Sequence, residues 1–404
     1  MQSDKSIVSA EIAAAPGARS RLLPLDALRG LIMLLMALDH VRDYFSNARY
    51  PPLDLAHTTP ALFLTRWVTH FCAPGFVLLA GTSAFLWAAA RRKSKAELAR
   101  YLLTRGAWLI VLELTVVRLA WFLDLDYRIS LAQVIWAIGW SMIALAGMMF
   151  LPDSWILAIA MVMIAGHNML DRVNLGNERF PSSLWSILHR PGLLEVWPGH
   201  SLYVLYPLIP WIGVMAFGYW MGRLYEKDGV YRRKWLLAAG ILLVAAFVAL
   251  RFSNLYGDPT HWHRQEDGLF TLLAFVNLEK YPPSFLFLMM TLGPLFIGLA
   301  LLESYTGRLV QIAATFGRVP LFYYVVHLFG IHLAAVGVAM LRYGQAGWLF
   351  GSAWLFREGY PADYGYGLVG VYLIWILAVL LLYPICVWFV KVKQQSRNGW
   401  LSYL

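Results

Sequence analysis

Arg29 and His40 lie in the first apolar run of the chain, LDALRGLIMLLMALDH (Leu25 to His40), together with Asp26 and Asp39. Charges inside a membrane span are expensive and by default mark function. The two residues are eleven positions apart, which on an α-helix is about three turns, roughly 16 Å of rise and only ~20° of rotation. They therefore share one face at two depths. Asp26, three residues before Arg29, and Asp43, three after His40, join the same stripe. An imidazole beside a carboxylate is the usual form of a general base, so Asp39 reads as the helper of His40. Adjacent helix residues point about 100° apart, so a different partner for Asp39 stays open.

The elements that must carry this stripe are membrane helices. The chain has 404 residues, 60% hydrophobic and 14% charged, against about 25% charged in a soluble domain. Apolar runs recur at roughly 26–45, 70–90, 102–123, 130–151, 154–170, 202–224, 235–252, 284–303, 320–342 and 366–390. The expected fold is all-α, a polytopic protein of about ten transmembrane helices. Roughly 20 of the 33 Lys and Arg fall in one alternate set of loops, including RRKSK (91–95) and 222–234, which predicts both termini in the cytoplasm. The net charge of +10 thus reflects positive-inside topology and implies no nucleic acid. Residues 1–24 read as a disordered cytoplasmic leader without a cleavable signal, 25–391 as the membrane domain and 392–404 as a cytoplasmic tail. Three long outer loops, about 46–69, 171–201 and 253–283, are long enough to fold into caps. Cys72 and Cys386 both lie in apolar segments, which excludes a disulfide framework.

The first helix, RLLPLDALRGLIMLLMALDHVRDYF, and the segment HFCAPGFVLLAGTSAFLW (70–87) resemble bacterial membrane proteins of the heparan-α-glucosaminide N-acetyltransferase catalytic-domain family. PLIPWIGVMAFGYWMGRLY (207–225), LEKYPPSFLFLMMTLGP (278–294) and FGRVPLFYYVVHLFGIH (316–332) extend the resemblance over nearly the whole chain after Pro24. The first helix is also similar to the start of the wider transmembrane acyltransferase group, which carries Arg, ten residues, then His; Arg29 and His40 fit that spacing. The resemblance implies a multi-pass protein of the bacterial inner membrane that uses cytosolic acetyl-CoA, or another acyl-CoA, as co-substrate. The acceptor would be a sugar or glycan on the periplasmic or extracellular side. In the lysosomal enzyme of the family the essential His lies in the following outer loop, which makes His57 in DLAHTTP the second candidate base. His40 is favoured, because an unneeded imidazole within the bilayer would be costly.

The remaining candidates follow from these roles. Thr82 and Ser83, among small residues, offer hydroxyls to a pantetheine arm or serve tight helix packing. Asp26, Arg29, Arg308 and Arg318 stand where CoA phosphates would dock, since Arg pairs with phosphate in a bidentate way. Asp43, Arg66, His70 and His327 are candidate acceptor contacts. His327 and His332, five apart, fall on different faces and do not read as a metal pair. HWHRQED (261–267), with Asp258, has permissive loop spacing, and no metal is assigned. Glu113 and Arg118 read as structural ion-pair members. The expected chemistry is acyl transfer with His40 as base, either direct or through an acyl-histidine. The rival is a proton-coupled small-solute transporter using the same polar stripe. The acceptor and the oligomeric state, a homo-oligomer included, stay open; membrane lipid is the remaining partner.

Overall fold

The computed structural model describes residues 22–173 and 179–396. The expected leader 1–24 and tail 392–404 fall largely outside those residues. Pro24, in the first turn where its missing N–H is harmless, opens helix α1 (Leu23–Phe45). Thr59 caps α2 (Pro60–Trp67), which runs through a 3-10 turn into α3 (Cys72–Arg91). Ser94 and Glu97 form a capping box that starts α4 (Lys95–Leu112). A π-turn at Glu113–Val117 joins α4 to α5 (Arg118–Phe122). Then come α6 (Val134–Met148), α7 (Asp153–Gly166), α8 (Arg179–Leu188), α9 (Leu208–Met221) and α10 (Gly229–Ser253). The last six are α11 (Gly268–Val276), α12 (Phe285–Leu302), α13 (Arg308–Arg318), α14 (Pro320–Tyr343), α15 (Gly351–Phe356) and α16 (Leu368–Gln395).

Every expected span contains a helix. Among the described residues, six helices are long and apolar enough to cross a membrane: Pro60–Arg91, Asp153–Arg172, Gly229–Ser253, Phe285–Leu302, Pro320–Tyr343 and Leu368–Gln395. The protein is thus a mostly helical, multi-pass membrane protein. The other four expected spans hold helices that are either charged, as α1 is, or short, as α6 and α9 are.

Two expectations need correction. The fold is not purely helical. Strands β1 (Ile129–Ala132), β2 (Gly192–Trp197) and β3 (His200–Val204) form a sheet of order β1-β3-β2, with β1 parallel and β2 antiparallel to β3. β1 and β3 occupy the starts of the spans expected at 130 and 202, and β2 lies in the outer loop expected at 171–201. A short apolar run does not reveal by periodicity whether it is strand or helix. Second, the 304–319 segment, a connection between the spans expected at 284–303 and 320–342, contains α13. Its backbone approaches α1 at paired small residues. A Cβ on Gly30 would meet the Ala313 carbonyl oxygen at 1.7 Å, and one on Gly317 would meet the Asp26 carbonyl oxygen at 1.8 Å. Only glycine allows that approach, and it sets Arg318 beside the foot of the polar stripe.

Glu113 and Arg118 do not pair with each other. The Glu113 carboxylate accepts the backbone N–H of Gln133 (3.3 Å) and Trp136 (3.2 Å), donors otherwise orphaned at the start of α6. Arg118 pairs with Asp124 (2.5 Å) and donates to the Ile129 carbonyl (3.2 Å). Both are structural. Together they fix the junction of β1 and α6, which borders the site.

Candidate active site

Two cavities follow α1 from opposite ends. The larger, about 1210 Å³, takes Leu22, which precedes α1, and Asp26, Arg29, Met33 and Met36 from α1. Leu22 to Met36 corresponds to roughly 21 Å of helix rise. Its wall is apolar, with Leu109, Ile138 and Met142, and its rim is charged, with Arg91, Arg105, Arg318, Lys393 and Glu226. Arg91 and Glu226 are exposed, so this end reaches the surface. The smaller cavity, about 310 Å³, takes Met36, Asp39, His40, Arg42 and Asp43 from α1. Leu131 and Tyr203 of the sheet and Lys280 and Tyr281 before α12 close it. Met36, Phe76, Val134 and Tyr324 line both cavities and mark where they meet.

Arg29 stands in the larger cavity. It donates to Asp26 (3.1 Å), the Gly317 carbonyl (3.1 Å) and Ser83 Oγ (2.8 Å), and Arg318 lies 3.7 Å from Asp26. Four of the expected donor-side residues, Asp26, Arg29, Ser83 and Arg318, are therefore together. Two are elsewhere. Thr82 is fully buried and donates its hydroxyl to the Leu78 or Gly218 carbonyl (each 3.0 Å), holding α3 to α9 rather than facing a cavity. Arg308 is exposed at the start of α13 and lines neither cavity.

His40 lines the smaller cavity, but its partner is not Asp39. Asp39 forms ion pairs with Arg42 (2.9 Å) and with Arg66. Arg42 in turn holds Asp43 (2.6 Å). The His40 and His327 rings meet edge to edge, planes 3° apart and centroids 4.9 Å apart, with His40 Nδ1 2.8 Å from His327 Nε2. The tautomers follow from the next link. His327 Nδ1 lies 2.7 Å from the Tyr323 carbonyl oxygen, which can only accept. His327 therefore carries its proton on Nδ1, and its Nε2 accepts from His40 Nδ1–H. His40 Nε2 keeps a free lone pair. Among the described residues it has no protein partner, and it is not sealed from the cavity. The adjacent carboxylate was expected to orient His40; a second imidazole 287 residues away does so instead.

Arg66 and Asp43, two of the candidate acceptor contacts, line the smaller cavity. His327 is reached only through His40, and His70 is fully buried against Phe287, outside both cavities. His57 is 64% exposed and lines neither cavity; it bonds Asp54 at 2.6 Å, and that hydrogen bond holds the Asp54 carboxyl below its usual range. His332 lies between the Ala120 (2.9 Å) and Leu349 (2.7 Å) carbonyls, of which the neutral ring donates to one at a time. No group of three His, Cys, Asp or Glu that could hold a metal occurs among the described residues. Asp258 instead anchors the loop before α12, accepting Ser284 Oγ–H (2.7 Å) and the Glu279 N–H (2.9 Å).

Sequence reasoning missed Arg42, Lys280, Trp121 and Tyr324 in the smaller cavity and Arg91, Arg105 and Lys393 at the larger rim. Arg42 carried a signal, three residues after Asp39 on one helix face. Lys280 sits in LEKYPPS, a segment already singled out. Nothing in a single sequence marks Tyr324 among so many aromatics.

No curated protein matches the chain. Residues 21–251 match the family described as heparan-alpha-glucosaminide N-acetyltransferase, catalytic. That span contains Arg29, His40 and Arg66, whereas Lys280, Tyr324 and His327 lie beyond it. Membership points to a membrane acetyltransferase-like enzyme. With more than half of its length matched, the chain belongs to the heparan-alpha-glucosaminide N-acetyltransferase catalytic family.

Proposed function

We propose that this protein moves an acetyl group from cytosolic acetyl-CoA to a hydroxyl or amine of a sugar or glycan on the periplasmic or extracellular side. It would sit in the bacterial inner membrane with ten spans and both termini inside. The observation that carries this reading is the meeting of the two cavities beside His40, whose Nε2 is held with a free lone pair. The larger, basic-rimmed cavity is the donor slot. Its rim cations, with Arg318, suit phosphates, and its apolar wall suits an extended thioester arm. The smaller, polar cavity is the acceptor site. His40 Nε2 takes the proton of the acceptor as that atom attacks the thioester carbonyl carbon. The C–S bond then breaks, and the proton passes from His40 to the departing thiolate. Tyr324, which lines both cavities, is the candidate to donate its hydroxyl to the developing oxyanion. An acyl-histidine route uses the same Nε2 as nucleophile.

The transporter reading has weaker support. A proton path needs a connected stripe, and the carboxylates are tied up in two separate ion-pair sets, Asp26 with Arg29 and Arg318, and Asp39 and Asp43 with Arg42 and Arg66. The test is acetyl transfer from acetyl-CoA to glucosamine by the purified protein in lipid nanodiscs. His40→Ala should lower the rate by about 10²–10⁴-fold, the usual contribution of a general base, and leave acetyl-CoA binding intact. His57→Ala should retain the rate. Near wild-type transfer by His40→Ala, with loss in His57→Ala, would move the base to the loop and end this assignment.

A further inference from the structure

Three cations and two carboxylates line the smaller cavity: Arg42, Arg66 and Lys280 against Asp39 and Asp43. The two carboxylates are already engaged, Asp39 by Arg42 and Arg66, and Asp43 by Arg42. Lys280 is the cation left over. It is 8% exposed, and among the described residues no carboxylate lies within 4.0 Å of its ammonium. The Tyr281 ring is in contact with it, 5.1 Å from Nζ, and Asp39, already paired with two arginines, acts on it only from beyond contact distance. A buried ammonium without an anion is unfavourable, and a single aromatic face replaces only part of its lost hydration.

The loop that carries Lys280 is held rigidly. Asp258 binds the Glu279 N–H and the Ser284 hydroxyl, one on each side of it, and the Ser284 N–H donates to the Glu279 carbonyl at 3.0 Å. A positioned cation facing a ligand-sized cavity, with no carboxylate in contact, is a preformed anion contact. The cavity also offers neutral groups for sugar hydroxyls: Gln133, Tyr203, Tyr206 and Thr69.

We propose that the smaller cavity selects an acidic acceptor, a sugar bearing a carboxylate or phosphate, with Lys280 as the counter-ion of that group. The proposal rests on the acceptor role assigned above to this cavity. Because 310 Å³ is at the low end of small-molecule sites, the anionic group would be on the reacting sugar itself or its immediate neighbour.

The test is binding rather than turnover, so that it stands apart from the acyltransferase reading. Trp121 and Trp354 line the cavity and give a fluorescence signal. The full chain in neutral-lipid nanodiscs is titrated with glucuronate, glucose 6-phosphate and glucose at low salt. At least one of the two anionic sugars should bind about tenfold more tightly than glucose. Lys280→Met should bring the three to parity, and Lys280→Arg should keep the preference. Equal binding in the wild type, or a preference that survives in Lys280→Met, would overturn the proposal. If Lys280→Met does not fold, acetylation of the wild-type Lys280 amine by an amine reagent, read by mass spectrometry, replaces it. The preferred anionic sugar should slow that labelling and glucose should not; equal labelling is the contrary result. An anion preference without any acetyl transfer would sink the acyltransferase reading and leave the anion site standing.

Discussion

His40, the proposed base, is oriented by a chain of hydrogen bonds, carbonyl to imidazole to imidazole, that ends in a lone pair facing a cavity. His327 is a positioning residue, since it reaches the chemistry only through His40. His327→Leu leaves His40 Nδ1–H without an acceptor and frees the ring to take the wrong tautomer. Transfer should fall by about 10-fold to 10⁴-fold, no further than loss of the base itself. His327→Gln should recover much of that loss, because its amide oxygen can accept from His40 while its N–H₂ serves the Tyr323 carbonyl. Equal loss in both variants would mark His327 as packing alone. The rate on glucosamine at saturating acetyl-CoA, with donor affinity measured beside it, checks this. In the sequence, Arg29 and His40 were visible because charges inside an apolar run stand out. The His40–His327 pair was not. It joins residues 287 apart, and single-helix geometry says nothing about what faces a helix from across the bundle. The same limit leaves the partner of Asp39 open in the sequence: its neighbour along the chain is His40, and its partners in space are Arg42 and Arg66.

Helices position the site by close backbone approach more than by large side chains. α1 and α13 meet at Gly30 and Gly317, and this contact places the Gly317 carbonyl on Arg29 and brings Arg318 to Asp26. A side chain at Gly317 would have to push the Asp26 backbone away. Gly317→Val should therefore separate the two helices, lower the apparent melting temperature, and cost about 1–3 kcal/mol in overpacking strain. Acetyl-CoA affinity should fall with it, because Arg29 and Arg318 shift together. Gly337→Ala is the matched control: nothing lies within 4 Å of a Cβ there, so stability and donor binding should be unchanged. Melting and calorimetric donor titration of both variants decide the matter, and a Gly317→Val protein with wild-type donor affinity would refute the link. Helix α13 was hidden in the sequence because it is short and polar enough to pass for a loop. The apolar helices were legible from run length alone. The strands were not, because β1 and β3 gain their partners from each other across seventy residues rather than from local pattern.

The whole molecule carries its asymmetry in charge. Arg91, Arg105, Arg318 and Lys393 rim the larger cavity, and Arg92, Lys93 and Lys95 lie just past the end of α3. The smaller cavity opens toward the other end of α1, where Asp43 and the 46–59 loop follow. Run length and the positive-inside rule could predict spans and sidedness, and family membership supports a multi-pass membrane enzyme. Orientation matters to the proposed function, because acyl-CoA is cytosolic and, of the two cavities, the larger has both the basic rim for its phosphates and the room for its extended arm. The native cysteines, Cys72 and Cys386, are buried and give little background, so single cysteines report cleanly. Lys93→Cys should react with a membrane-impermeant maleimide only after cells are opened. Leu255→Cys, at a site 84% exposed between α10 and α11, should react in intact cells. Reaction of Lys93→Cys from outside would invert the molecule. The donor slot would then open away from the CoA pool, and the proposed direction of acetyl transfer would fail with it.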